Sequence, residues 1–165
     1  MTESGFIGES NFGQKKFAKK LPSGIAVAAV NEGRRVYFIE VQSLIQKSIF
    51  GYPKRNAVGY DFNRLNMIIA ILARTLKIDL SSFDVYLNVS QGYRIKDPSS
   101  DLAVAAALVS AYKNKELSGL DVYIGELDLA GRISEVVNQD MKIKAAKKLG
   151  FRPITSRNIS SLKLN

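Results

Sequence analysis

Lys96-Asp97-Pro98-Ser99-Ser100-Asp101, with the apolar run from Leu102 to Val109 behind it, is the segment from which the fold is read. Asp97 is a good N-cap, Pro98 suits the first helical position because its missing N–H had no partner there anyway, and Asp101 faces the positive end of the helix dipole. A helix is predicted to start here. No residue from Leu102 to Val109 is polar, and four of the eight are alanine, so this helix is apolar all round and lets neighbouring backbones come close. It reads as the central buried helix. Asp84-Val-Tyr-Leu-Asn-Val89 alternates like a strand, Gly92 marks a turn or bulge, and Tyr93-Arg94-Ile95 leads into the helix start. Ser99 then stands at the dipole end, either as an ordinary first-turn serine or as a nucleophile if a base stands nearby.

Around this centre the chain reads as one α+β domain. Gly24 to Val30 and Arg35 to Val41, joined through Asn31-Glu32-Gly33, give a hairpin signal. Asp61 caps a helix whose Leu65, Ile68, Ile69, Leu72 and Leu76 form a core stripe. Arg64 in its first turn opposes the dipole, so a specific partner is expected: a carboxylate such as Asp61 or Glu126, or a neighbouring subunit. Leu120 to Ile124 is a strand, Asp128-Leu-Ala-Gly131 a tight turn, and Arg132 to Val137 the return strand. Asn138 caps a last helix with Met141, Ala145 and Leu149 on its apolar face, and Phe151 to Thr155 is a short edge strand.

Composition narrows the chemistry. The 165 residues contain no cysteine and no histidine, which excludes disulfides, thiolate zinc sites, a Ser-His-Asp triad and a Cys-His pair. No metal site is expected. No run is long and apolar enough to span a membrane and no secretory signal is evident, so a cytoplasmic location is the default expectation. The net charge of +9 favours phosphate-rich polymers. Candidate phosphate contacts are the loop residues Lys54 and Arg55 and the strip Lys142, Lys144, Lys147 and Lys148. Each group reads equally as solvated surface. Residues 1 to 20 form a flexible basic arm, and 21 to 165 the domain. Gly8 to Lys15 imitates a phosphate loop, but its lysine comes one residue late and no hydroxyl follows.

Arg94 to Ser110 followed by Ile124-Gly-Glu-Leu-Asp-Leu-Ala-Gly-Arg132 resembles the proteolytic domain of Lon, in which Pro-Ser opens a helix and a Gly-Glu hairpin follows. Ser99 falls on the Lon serine. Counting without gaps from Gly125-Glu126 to Ala145-Ala146 sets Asp140 at the position of the catalytic lysine, so the dyad is expected to be broken. Of the possible substitutes Lys142 and Lys144, only Lys144 shares the face of residue 140.

Glu40-Val-Gln-Ser-Leu44, Pro53-Lys-Arg55, Gly59 to Leu65, Asp101-Leu-Ala103 and Ala145 to Phe151 together resemble the C-terminal Lon-like domain of the RadA (Sms) family of bacterial DNA repair and recombination proteins. The similarity runs from about residue 24 to about residue 158. It implies the two-layer ribosomal-S5-domain-2-like fold of Lon proteolytic domains. It also implies a non-catalytic role in assembly and DNA binding, through the phosphate backbone, within a homo-oligomeric ring driven by a DNA-dependent ATPase core. The zinc finger and phosphate loop of that family are missing from this sequence, so ATP, magnesium and zinc are expected only in an N-terminal part, and the chain is expected to begin near a domain junction. The alternative is a Lon-type serine peptidase with an altered Ser/Lys dyad.

Overall fold

The computed structural model describes residues 7–8 and 18–159. Most of the expected basic arm lies outside them. In chain order the elements are β1 (Ile7–Gly8), β2 (Lys20–Leu21), β3 (Ile25–Glu32), β4 (Arg35–Lys47), β5 (Arg55–Val58), α1 (Phe62–Leu76), β6 (Phe83–Val89), α2 (Asp101–Lys113), β7 (Leu117–Ser118), β8 (Asp121–Tyr123), β9 (Glu126–Leu127), β10 (Ile133–Ser134), α3 (Gln139–Lys148) and β11 (Arg152–Ile154). Short 3-10 turns at Ser90–Gly92 and Pro98–Ser100 flank the segment that enters α2.

The main sheet has the order β11-β8-β3-β4-β6-β5, with β1 also paired to β4. The β3–β4 and β4–β6 ladders are antiparallel, whereas β8 and β11 on one side and β5 on the other join in parallel. Helices α1 and α2 cover one face. Ala26, Ala28 and Val30 of β3 point to that side, where they meet Leu65, Ile68, Leu72 and the run Leu102 to Val109 of α2. The alternate residues Val27 and Ala29 point the other way, onto Ala145 and Ala146 of α3 and onto Phe38 and Phe151, whose rings lie 5.2 Å apart. Period-2 alternation with apolar residues at both phases is what a strand covered twice requires. The sequence predicted two layers; α3 adds a third on the opposite face, so the architecture is a mixed α/β one with the sheet in the middle.

Local signals account for most of the boundaries. Asp61 caps α1 by accepting from Arg64 N at 2.7 Å, and Lys77 ends it in the left-handed conformation with φ 58°. Ile71 joins Leu65, Ile68 and Leu72 in the core, while Ile69 and Leu76 are half-buried. Every residue of α2 from Asp101 to Ser110 is buried. The predicted edge strand pairs in parallel with β8 and places Pro153 at the sheet margin, where its missing N–H costs no ladder bond. Asn138 precedes α3 with φ 61° but makes no side-chain cap.

Because Ala105 is completely buried in α2, Ala105→Leu is expected to overpack the core and cost about 1–3 kcal/mol. A urea midpoint equal to that of the unmodified chain would contradict this packing.

Candidate functional site

The 3-10 turn at Pro98–Ser100 forms because Asp97 Oδ1 accepts from Ser99 N at 3.0 Å and Ser100 Oγ donates to Asp97 O at 2.8 Å. This turn is stitched to the next hairpin by Gly125 N donating to Ser99 O at 2.9 Å and Leu102 N donating to Gly125 O at 3.1 Å. The stitching fixes Ser99 beside β3, where its hydroxyl donates to Ala29 O at 3.2 Å. From the opposite layer α3 sends Lys142 into the same place. Its Nζ stands 2.5 Å from Ser99 Oγ and 2.5 Å from Asp97 Oδ2, and Asn31 N donates to that same carboxylate oxygen at 3.1 Å. Ser99 and Lys142 are both 0% exposed.

Burial drives the Lys142 ammonium below the ordinary lysine range, and the hydrogen bond and charge of Asp97 oppose it. Burial also pushes the Asp97 carboxyl up, but the Lys142 hydrogen bond, the Ser99 amide, the Lys142 charge and the Asn31 amide outweigh it and hold the group below the ordinary carboxylate range. Asp97 therefore supplies the counter-charge that opposes the effect of burial on Lys142. A serine nucleophile needs a neutral amine as base, together with room for a substrate carbonyl.

A second polar cluster lies on the other side of the same helix start. Asp101 accepts from Tyr60 Oη at 2.9 Å, from Arg64 Nε at 3.0 Å and from Leu127 N at 3.0 Å, and it also pairs with Arg64 Nη2. Arg64 Nη2 donates further to Leu127 O at 2.8 Å. The partner of Arg64 is thus Asp101, and neither the Asp61 side chain nor Glu126 bonds its guanidinium. Burial and the neighbouring Asp101 raise the Tyr60 phenol well above its ordinary range, and the Asp101 hydrogen bond raises Arg64 likewise.

The remaining predicted residues separate. Asp140, counted onto the lysine position, has a side chain 84% exposed that pairs with Arg157 at 2.9 Å. The lysine beside Ser99 is Lys142. A step of two residues is about 200° around a helix, so residues 140 and 142 point to opposite sides, and Lys144 shares the outward side of 140. Lys142 therefore does not belong to the expected surface strip, whose exposed members are Lys144, Lys147 and Lys148. Arg55 is half-buried and donates to the carbonyls of Phe83 at 2.5 Å and Leu80 at 2.7 Å, which makes it a brace for β6. Lys54 is exposed, but it precedes β5 at the sheet edge farthest from β11, against which α3 packs. The loop and the strip form no common surface. Of the face expected to be apolar, Ala145 is buried and Met141 is 38% exposed; the inward stripe is Gln139, Lys142, Ala145 and Ala146, and its lysine is the member that sequence reading places outward. Among the described residues no group of His, Cys, Asp or Glu side chains could hold a metal ion.

These features define a mixed α/β domain whose central helix begins at a sealed serine–lysine pair. No family model matches the sequence. Curated relatives do: the DNA repair protein RadA of Campylobacter jejuni is 42% identical over 153 residues, covering 92% of this chain and 34% of the relative. The RadA proteins of Rickettsia bellii and Brucella abortus are 42% and 44% identical over 93% and 89% of this chain, and 35% and 30% of their own lengths. The chain is therefore homologous to the C-terminal domain of the RadA DNA repair proteins. It spans about a third of the length of the relatives it matches.

Asp97→Asn leaves the buried Lys142 ammonium without its counter-charge, and the expected loss at pH 7 is about 3–5 kcal/mol. The depressed folded-state pKa of Lys142 means that the unfolded chain binds more protons between that value and the ordinary lysine value, so stability rises with pH in this window. Losing Asp97 widens the window downward. The variant is thus expected to regain more stability than the unmodified chain between pH 7 and pH 10, as read from urea midpoints. Parallel pH dependences would show that Lys142 is not the stranded charge.

Proposed function

We propose that this domain serves a RadA-type DNA repair protein as a non-catalytic Lon-like module with the ribosomal-S5-domain-2-like topology, contributing to assembly and to DNA contact through the phosphate backbone. The observation that carries the non-catalytic part is the complete burial of Ser99 and Lys142 together with the Asp97 carboxylate at 2.5 Å from the lysine. A hydroxyl with no access to substrate lacks one requirement for acyl transfer, and the contact with Asp97 engages the amine that would act as base. The DNA-binding part draws support from the charge of +9, from the exposed lysines of α3 and from the name shared by the relatives. Assembly into a ring multiplies weak contacts because each further domain meets DNA at high effective concentration.

One observation favours the alternative, a Lon-type serine peptidase: Lys142 Nζ lies 2.5 Å from Ser99 Oγ, which is dyad geometry. Peptidase action from this arrangement requires an opening at Ser99 and release of Lys142 from Asp97. Incubation with a fluorophosphonate probe and with unfolded casein separates the readings. No labelling and no cleavage are expected, and labelling that disappears in Ser99→Ala would establish the peptidase.

For the DNA reading, Lys144→Gln/Lys147→Gln/Lys148→Gln is expected to weaken duplex binding evenly across sequences. The slope of log affinity against log salt should flatten by up to about 2.7 units, about 0.9 for each phosphate that is no longer neutralised. Stability should change by no more than about 0.5 kcal/mol. Fluorescence anisotropy at several salt concentrations measures the slope, and an unchanged slope would make the strip a solvated helix face.

A further inference from the structure

Between the 3-10 turn ending at Gly92 and the cap at Asp97, the chain runs as a strap over the molecule. Gln91 and Gly92 turn it with φ of 58° and 72°. Ile95 is buried and its N–H donates to Gly59 O at 2.8 Å. Gly59, with φ of 80°, must be glycine here because a Cβ would run into the Tyr93 carbonyl and the Val89 side chain. The strap is thus fixed to the scaffold. Alternation puts Tyr93 and Ile95 inward and Arg94 and Lys96 outward, the two cations sharing one side about 6.7 Å apart along the backbone. Neither makes an ion pair among the described residues.

Both cations line two clefts at once, one of about 470 Å³ on the side of Asn31, Glu32 and Gln91, the other of about 360 Å³ on the side of Tyr60, Asp61 and Phe62. Arg94 and Lys96 are therefore a basic ridge between two hollows, each within the size range of small-ligand sites. The first hollow contains the carboxylates of Glu32 and Asp97 and the second that of Asp61, which disfavours phosphate inside and leaves the ridge as the place for it. The Phe62 ring, in the wall of the second hollow, is 48% exposed and offers a stacking face.

From this juxtaposition we infer that the strap is a binding site for one strand of unpaired DNA, with successive phosphates on Arg94 and Lys96 and a splayed base against Phe62. A duplex keeps its bases stacked inside and would leave both hollows unused, whereas a single strand places phosphates on a cationic track and bases on aromatic faces. The inference rests on the DNA-binding reading proposed above and adds to the α3 strip a place for a single strand.

The test is fluorescence anisotropy on the full chain with a labelled oligo-dT strand and a duplex of equal length, at several salt concentrations. Arg94→Gln/Lys96→Gln is expected to flatten the single-strand salt slope by about 1.4 units, at about 0.7 per phosphate. Phe62→Ala is expected to lower single-strand affinity roughly 5- to 150-fold, the range for loss of one stacking face, and to leave the slope as it was. Thermal melting confirms that both variants fold. If the unmodified chain binds neither oligonucleotide, the DNA-binding reading falls and this inference falls with it. If it binds, and the strap variants match the unmodified chain while Lys144→Gln/Lys147→Gln flattens the slope, the reading stands and the strap is excluded. Tighter binding to the duplex with no effect of Phe62→Ala excludes it equally.

Discussion

The ammonium of Lys142, enclosed between Asp97 and the Ser99 hydroxyl, is the contact on which the arrangement of layers depends. It is the place where α3, on one face of the sheet, reaches the turn that starts α2 on the other, with Ala29 and Asn31 of β3 between them. Moving a charge out of water costs several kcal/mol, and only a close counter-charge with the remaining donors satisfied offsets it. Asp97 is that counter-charge and Ser99 Oγ takes a second donor, so the position of α3 is tied to the position of the α2 cap. Apolar packing at Ala145, Ala146 and Phe151 holds α3 down, but such contacts are not directional. The lysine supplies the register.

A second anchor works from the other side of the same helix start. Asp101 gathers Tyr60, Arg64 and the Leu127 amide, and so joins α1 and the β9–β10 hairpin to the first turn of α2. A helix apolar on all sides has no preferred face of its own, and its rotation is set by whichever polar groups bracket its ends. Here Asp97, Ser99 and Asp101 do this at one end, while Ser110 accepts from Gly24 N at 2.9 Å and donates to Lys115 O at 2.6 Å near the other. The polar groups at the start of α2 are thereby consumed in holding the core. This is why a serine and a lysine in dyad geometry fit a structural role as well as a chemical one.

Surface charge is distributed differently from the basic motifs of the sequence. Arg55 braces backbone carbonyls, Lys142 is interior, and Arg152 and Arg157 are engaged by Asp121, Glu135 and Asp140. Outward basic residues are found on α3 and on the strap before α2, and also at Arg34, Arg35, Arg74, Lys77, Lys113 and Lys115. The strap is held close to β6 because Gly59 leaves room for the Tyr93 carbonyl and the Val89 side chain, and because Ile95 is buried at its centre.

Local pattern was enough for the central helix, the β3–β4 hairpin, the capped α1 and the succession of strands around them, because periodicity and capping are local and hydrophobic patterning survives any tertiary context. The RadA resemblance was equally legible, since Glu40 to Leu44, Pro53 to Arg55 and Ala145 to Phe151 are linear motifs. Which charges go inward, by contrast, was decided in three dimensions. Lys142 lies on a stripe with Gln139, Ala145 and Ala146, but a lysine is placed inside only when a carboxylate waits there, and Asp97 is 45 residues away in the chain. Arg64 met the same limit, its partner Asp101 standing 37 residues on. Counting along the chain set residue 140 beside Ser99, whereas the rotation of α3 put residue 142 there. Burying a charge is settled by partners brought together in space, and no local pattern encodes that meeting.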